Sequence, residues 1–364
     1  MIRKNLQYVL LAVAMLSGSS AVAQESQKMT ANKLNDYGLI YSLPVTHFNI
    51  EVEAVRTIKK AGPYFKYAKK YLGVTDIIKN NTQSWDVLGV TVSSYGVPNK
   101  DNEYLMQLKS GTAPFLMLDG EGLPLSINIE AKEEVVKRKR NKLADKSVLD
   151  GIDYLSAVSE DMVASESMMK RAEAAAAKIF ELRESRNDLV SGRAEQTPPD
   201  GASLKLMLDE LNRQEAILTA MFVGTTQKET KVFRFDYVPS ADVQNEIAFR
   251  VSDFNGIVDK NDLSGEPVYL NLKVTERGEL PVNEKGEVKE TPKGAVMYCI
   301  PGKAQVSLSY MGKELAKETL SVAQFGVEYG LEPKIFTNKK APAYVIFEPE
   351  TGGIKEIGTL EVEN

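Results

Sequence analysis

The chain has 364 residues, 43% of them apolar, which suits two or three domains with real hydrophobic cores. Its 45 Lys and Arg against 50 Asp and Glu leave a formal charge of −5, so there is no basic field to attract nucleic acid. One Cys and one His exclude an internal disulfide, a zinc site of the HExxH or CxxC kind, and any Ser-His-Asp triad not built on His47.

Arg3 and Lys4 precede the apolar run 8–16, and Ala21-Val22-Ala23 fits an A-x-A cleavage pattern, so residues 1–23 read as a secretory signal peptide. Cleavage near Gln24 removes two positive charges and takes the net charge from −5 to −7. No later stretch approaches the roughly 18 apolar residues of a membrane span. No Cys follows the leader to carry a lipid anchor. An exported chain, periplasmic or on the cell surface, is the expectation.

Residues 24–158 read as an N-terminal β-domain with one short helix and a basic linker. Phe48, Ile50, Val52 and Ala54 alternate with His47, Asn49, Glu51 and Glu53, the period of a half-buried strand. His47 therefore falls on the polar face, where a solvated side chain outweighs a catalytic base. Gly62-Pro63 opens a helix closed by Gly73, with Tyr64, Tyr67, Ala68 and Tyr71 on one side and lysines on the other. Tyr64, Tyr67 and Tyr71 are the only candidates for a sugar-binding aromatic platform, though a helix strapping a sheet is the commoner use of such a face. Strands are expected over 84–93 and 103–109, and then on both sides of the turn Asp119-Gly120-Glu121-Gly122. The basic run 137–142 reads as an exposed linker.

Residues 159–224 read as a long antiparallel helical hairpin. The first arm, 159–190, has no Gly or Pro and carries Arg171-Ala172-Glu173-Ala174-Ala175-Ala176-Ala177-Lys178. As one helix it would reach roughly 48 Å. Gly192 and Pro198-Pro199 break it, Asp200 caps the second arm, and Gly224 closes that arm. Counting outward from the loop sets Arg183 level with Glu210, so a cross-hairpin Arg183–Glu210 pair is expected. Within the first arm Ser167-Met168-Met169-Lys170 matches S-x-x-K, but no K-T-G accompanies it and Ser167 falls inside the expected helix.

Residues 225–364 read as a sandwich-like β-domain with alternating runs such as Ile247, Phe249, Val251 and Val268, Leu270, Leu272, Val274. The oxygen-rich loop 259–266 lacks a calcium-loop register, because Leu263 takes the fifth position, and reads as a turn. Cys299 lies in an apolar run and reads as a buried small hydrophobe. The P-loop, GxGxxG and GxSxG patterns are absent, and no cofactor is expected.

The segments Ile179-Phe180-Glu181-Leu182-Arg183-Glu184-Ser185-Arg186, Pro198-Pro199-Asp200-Gly201 and Leu204-Lys205-Leu206-Met207-Leu208 form one distinctive group. Ala61-Gly62-Pro63-Tyr64, Leu263-Ser264-Gly265-Glu266-Pro267, Ile300-Pro301-Gly302-Lys303-Ala304 and Ala323-Gln324-Phe325-Gly326 extend it. Together they resemble the envelope-protein family of Bacteroidota catalogued as domain of unknown function 4831. The resemblance implies export and the order β, helix pair, β over essentially the whole mature chain. It implies no catalytic residue and no cofactor.

The expected fold is thus α+β and mainly β, with two antiparallel β-domains and a long helical hairpin between them. The expected function is a non-enzymatic binding or scaffold module of the cell envelope that uses the hairpin to contact an envelope protein or glycan. The alternatives are an exported hydrolase acting on glycan or peptidoglycan, and a sugar-binding surface adhesin.

Overall fold

The computed structural model describes residues 39–106, 115–131, 154–195, 200–338 and 340–360. The leader at 1–23, the basic run at 137–142 and Pro198-Pro199 lie outside the described residues. In chain order the elements are β1 (Leu39–Lys60), α1 (Ala68–Leu72), β2 (Thr82–Met106), β3 (Leu116–Leu118), β4 (Pro124–Ile127), α2 (Glu160–Ala164), α3 (Met168–Ser191), α4 (Gly201–Val223), β5 (Thr225–Tyr237), β6 (Val243–Ser252), β7 (Gly256–Val258), β8 (Glu266–Glu276), β9 (Val296–Tyr310), β10 (Lys313–Leu331), α5 (Pro333–Phe336), β11 (Ala343–Glu348) and β12 (Gly353–Thr359).

The chain is mainly β, with antiparallel sheets ordered β2-β1-β5, β10-β9-β8-β6-β7 and β12-β11-β4-β3. On β1 the alternation dictates the inward face, and Phe48, Ile50, Val52 and Ala54 are all essentially inaccessible. They meet Trp85, Val90 and Val92 of β2 and Phe249, Val268, Leu270, Val306 and Leu308 of the five-stranded sheet in one core. The five-stranded sheet is therefore covered by strands from the N-terminal stretch together with β5, not by other strands of 225–364. The four-stranded sheet likewise joins β3 and β4 to β11 and β12. Alternation tells which side of a strand is buried and says nothing about which strand lies opposite, so the pairing across the helical segment was not readable in advance.

The first helical arm is not continuous. α2 ends at Ala164, residues 165–167 are extended or bent, and α3 starts at Met168. The serines explain the break, since Ser165 Oγ bonds Asp161 O and the Ser165 carbonyl accepts Arg171 Nε. Twenty-four helical residues in α3 give roughly 36 Å in place of 48 Å.

A third core gathers Ala172, Ala175, Ala176, Ile179 and Leu182 of α3, Leu218, Met221 and Phe222 of α4, and Met162, Tyr64 and Ala68. It attaches to the end of the three-stranded sheet where Lys60 pairs with Thr225. Two glycines permit the junction. Gly224 has φ 87° and its missing Cβ would stand 2.5 Å from Lys60 O, while a Cβ on Gly62 would stand 2.2 Å from Met221 O.

Candidate functional site

The helix pair is held by short-range chemistry at its base and by ions further out. Gly192 ends α3 in the left-handed region at φ 69°. Asp200 caps α4, its Oδ1 accepting from Ser203 N at 2.8 Å and its Oδ2 from Ser203 Oγ at 2.7 Å. These bonds hold the Asp200 carboxyl below the usual carboxylate range.

Arg183 does not reach Glu210. Its Nε donates to Glu215 Oε1 at 2.6 Å, and Arg186 Nη1 donates to Glu215 Oε2 at 2.5 Å and to Asn212 Oδ1 at 3.0 Å. Glu210 instead accepts from Arg213 and Gln214 on its own helix, and those hydrogen bonds, Arg213 first, bring its carboxyl down to about 2. Glu215 lies closer along α4 than Glu210 to the buried residues Leu218, Met221 and Phe222 that pack with α3. Glu215→Ala is expected to destabilise the helix pair by about 1 kcal/mol, because it removes the carboxylate shared by two half-shielded guanidinium groups and leaves Arg186 with Asn212 alone. Glu210→Ala should leave the thermal midpoint where it is, and paired melts of the two variants check the assignment.

Further out the buried residues stop. All buried positions of α3 lie between Ala172 and Leu182, and all those of α4 between Ile217 and Phe222. Val190 is 70% exposed and Leu206 72%. A pocket of about 480 Å³ between the distal turns is walled by Leu189, Met207 and Leu211, with Asp188 and Glu210 at its rim.

The three tyrosines offered as candidates for an aromatic platform do not stand together in solvent. Tyr64 is buried against Phe222, and Tyr67 and Tyr71 lie half-buried against the same core, where the strap-like packing of this helix places them. Ser167 is also relocated, to the N-cap of α3, where its side chain caps nothing and both it and Lys170 are exposed.

His47 is on the polar face of β1 but has a partner that no spacing announced. Its Nδ1 lies 3.0 Å from both oxygens of Asp236, which also accepts the Tyr95 hydroxyl at 2.8 Å. Burial first, then this hydrogen bond, pushes the Tyr95 phenol up to about 12. Asp236 sits beside His47 only because β1 and β5 pair with Asn49 opposite Asp236.

Another concavity is a pocket of about 470 Å³ where the sheets meet, at two coincident β-bulges. On β2, residues 99–102 loop out opposite Leu43 alone. On β10, residues 323–326 loop out opposite Pro301 alone. Gln324 anchors the second bulge, its Oε1 accepting from Thr46 N at 3.0 Å and its Nε2 donating to Thr46 O at 2.8 Å. The buried Thr46 hydroxyl donates to Glu350 O and accepts from Ala323 N. Gly326 and Gly302 let the backbones cross, since a Cβ on either would come within 2.5 Å of a carbonyl oxygen. Cys299 lines this pocket, and burial, then the charge of Glu328, pushes its thiol up to about 12, so it is no nucleophile at neutral pH. The signals that mark the pocket in sequence are breaks in strand period, Pro98-Asn99 and the glycines of Ile300-Pro301-Gly302 and Phe325-Gly326.

These features define a mainly β protein of antiparallel sheets with a helix pair packed at one sheet end and a pocket at a double bulge. Residues 37–355 match the model of the family described as a domain of unknown function, DUF4831, and the chain belongs to that family. No curated protein and no solved structure matches it. Among the described residues no helix is long and apolar enough to cross a membrane.

Proposed function

We propose that the protein is exported to the periplasm or cell surface and acts there as a non-enzymatic binding or scaffold module. In this reading the facing three- and five-stranded sheets form a sandwich-like body, and α3 and α4 form a hairpin that leaves it and contacts a protein partner of the envelope. The leader pattern of residues 1–23 supports export. The observation that carries the contact is the exposure of Val190, Leu206 and Met207 on turns that no core residue supports. Apolar side chains gathered at the end of a helix pair, beside a groove walled by Leu189, Met207 and Leu211, suit a segment that offers apolar side chains of its own.

A photo-crosslinking amino acid placed at Leu206, with Lys317 on β10 as the comparison position, tests the contact in the native envelope. A discrete adduct at 206 and none at 317 is expected. Equal labelling at both positions, or none at 206, overturns the assignment. Mass spectrometry of the purified protein tests export independently, with a mature N-terminus near Gln24 expected and an intact Met1 against it.

A further inference from the structure

We propose that the double-bulge pocket binds a ligand carrying one positive charge, a primary ammonium or guanidinium on a short apolar stem. The inference rests on the charge balance of its walls and is independent of the role given to the helix pair. Glu328 is the only charged residue among those lining the pocket. Among the described residues its carboxylate has two donors, Asn102 Nδ2 to Oε1 at 2.5 Å and the Tyr104 hydroxyl to Oε2. Both donors are neutral. Burial first, then the bond to Glu328, holds the Tyr104 phenol above its ordinary value, so it stays protonated and donating.

No Lys or Arg among the described residues forms an ion pair with this carboxylate, in contrast to Glu51 and Glu276, which pair with Arg234 and Lys303, and Glu215, which pairs with two arginines. A carboxylate oxygen carries two acceptor sites, so one on each oxygen is left after Asn102 and Tyr104 are served. A half-buried carboxylate with spare acceptors gains most from a charge-assisted donor. Glu328 lines the same pocket as Leu43, Val45 and Cys299, and Cys299 is its direct cross-strand neighbour on β9. Those walls are apolar or, with the thiol neutral, nearly so. They accept a stem of a few methylenes, and the neutral amides of Asn99, Asn102 and Gln324 complete the lining.

The bulge that carries the site is built rather than loose. Gln324 is bonded to Thr46 and to Pro239 O, and Gly326 lies against Ile300 O and Pro301 Cα. An insertion pinned at this many points has a defined cavity, as a largely preformed binding site does.

Two sources share this chemistry, a free small amine and the Lys or Arg side chain of a partner. The test titrates the full mature chain with n-butylammonium, with 1-butanol as its neutral isostere, and with Nα-acetyl-lysine amide against Nα-acetyl-norleucine amide. Amide shifts of Val45, Asn102, Val327 and Glu328 are followed by NMR. Saturable shifts with the charged member of a pair and not with its isostere are expected. Glu328→Gln should weaken them roughly tenfold or more. Binding of butylammonium assigns a free amine, and binding of the capped lysine alone assigns a partner's side chain. Equal response to charged and neutral probes, no response to any, or a Glu328→Gln variant that binds as before overturns the proposal. The wild-type comparison needs no variant, so a folding defect in Glu328→Gln would not blunt it.

Discussion

Replacing Phe249 by Ala is expected to destabilise the β-body by about 3–5 kcal/mol, and the transition seen by Trp85 fluorescence should move with it. Phe249 on β6 is wholly inaccessible and its ring stacks on Phe235 of β5 at 4.9 Å and 7°. Trp85 on β2 stands in the same core, edge-on to Phe233 at 5.8 Å and flat against Gly256. The tryptophan therefore reports on the N-terminal strands while the substitution empties space on the C-terminal sheet. If residues 24–158 and 225–364 had separate cores, the Trp85 midpoint would not shift when Phe249 is truncated. A common shift in urea, with circular dichroism and fluorescence coincident, is the outcome that one shared core requires. Phe→Ala removes a full ring from a site walled by β-branched and aromatic residues of two sheets, and such walls collapse little, which places the effect high in the usual range.

That shared core marks the limit of what the linear chain reveals. The inward faces of β1, β6, β8 and β9 were legible because a two-residue period is a local property, and the burial of Phe48, Phe249, Leu270 and Leu308 follows it. The turn readings were local as well. Asp119 Oδ1 accepts from Glu121 N and Leu123 N, and Asp262 Oδ1 accepts from Ser264 N, the Asx-type bonds that compete with a metal for those oxygens. What could not be read was relational. Strand β5 lies next to β1 although more than 160 residues separate their partners Lys60 and Thr225 along the chain, and nothing in either strand names the other. His47 with Asp236, and Glu328 with Asn102 and Tyr104, are consequences of that topology. So is the arginine clamp. The partner of Arg183 depends on how the two helices sit against each other around the core residues Ala172 to Ile179, and spacing along one helix does not carry that.

The junction between helices and sheets yields the second large effect. Gly62→Ala is expected to cost about 3 kcal/mol or more, because the new Cβ would stand 2.2 Å from Met221 O and 2.6 Å from Ala220 O. Both neighbours are backbone atoms at the last turn of α4, and Met221 O already accepts the Tyr64 amide at 2.8 Å. A side chain can rotate away from an intruding methyl; a carbonyl held in a helix and in a hydrogen bond cannot. The least costly response is for the helical core to lift from the sheet end, where Gly62, Gly224 and the bond from Ile78 N to Val223 O are among the close contacts that hold it. Hydrogen exchange should therefore show roughly a hundredfold loss of protection across α3 and α4, with β1 amides near Phe48 to Val52 little changed. Gly120→Ala, where the added Cβ meets nothing within 4 Å, is the control and should stay within about 0.5 kcal/mol of the parent. Uniform loss of protection over sheets and helices would mean that the helical core is no separable unit. In that case its distal turns could not be lifted or repositioned by a partner without melting the β-body, and the scaffold reading would have to treat them as rigid.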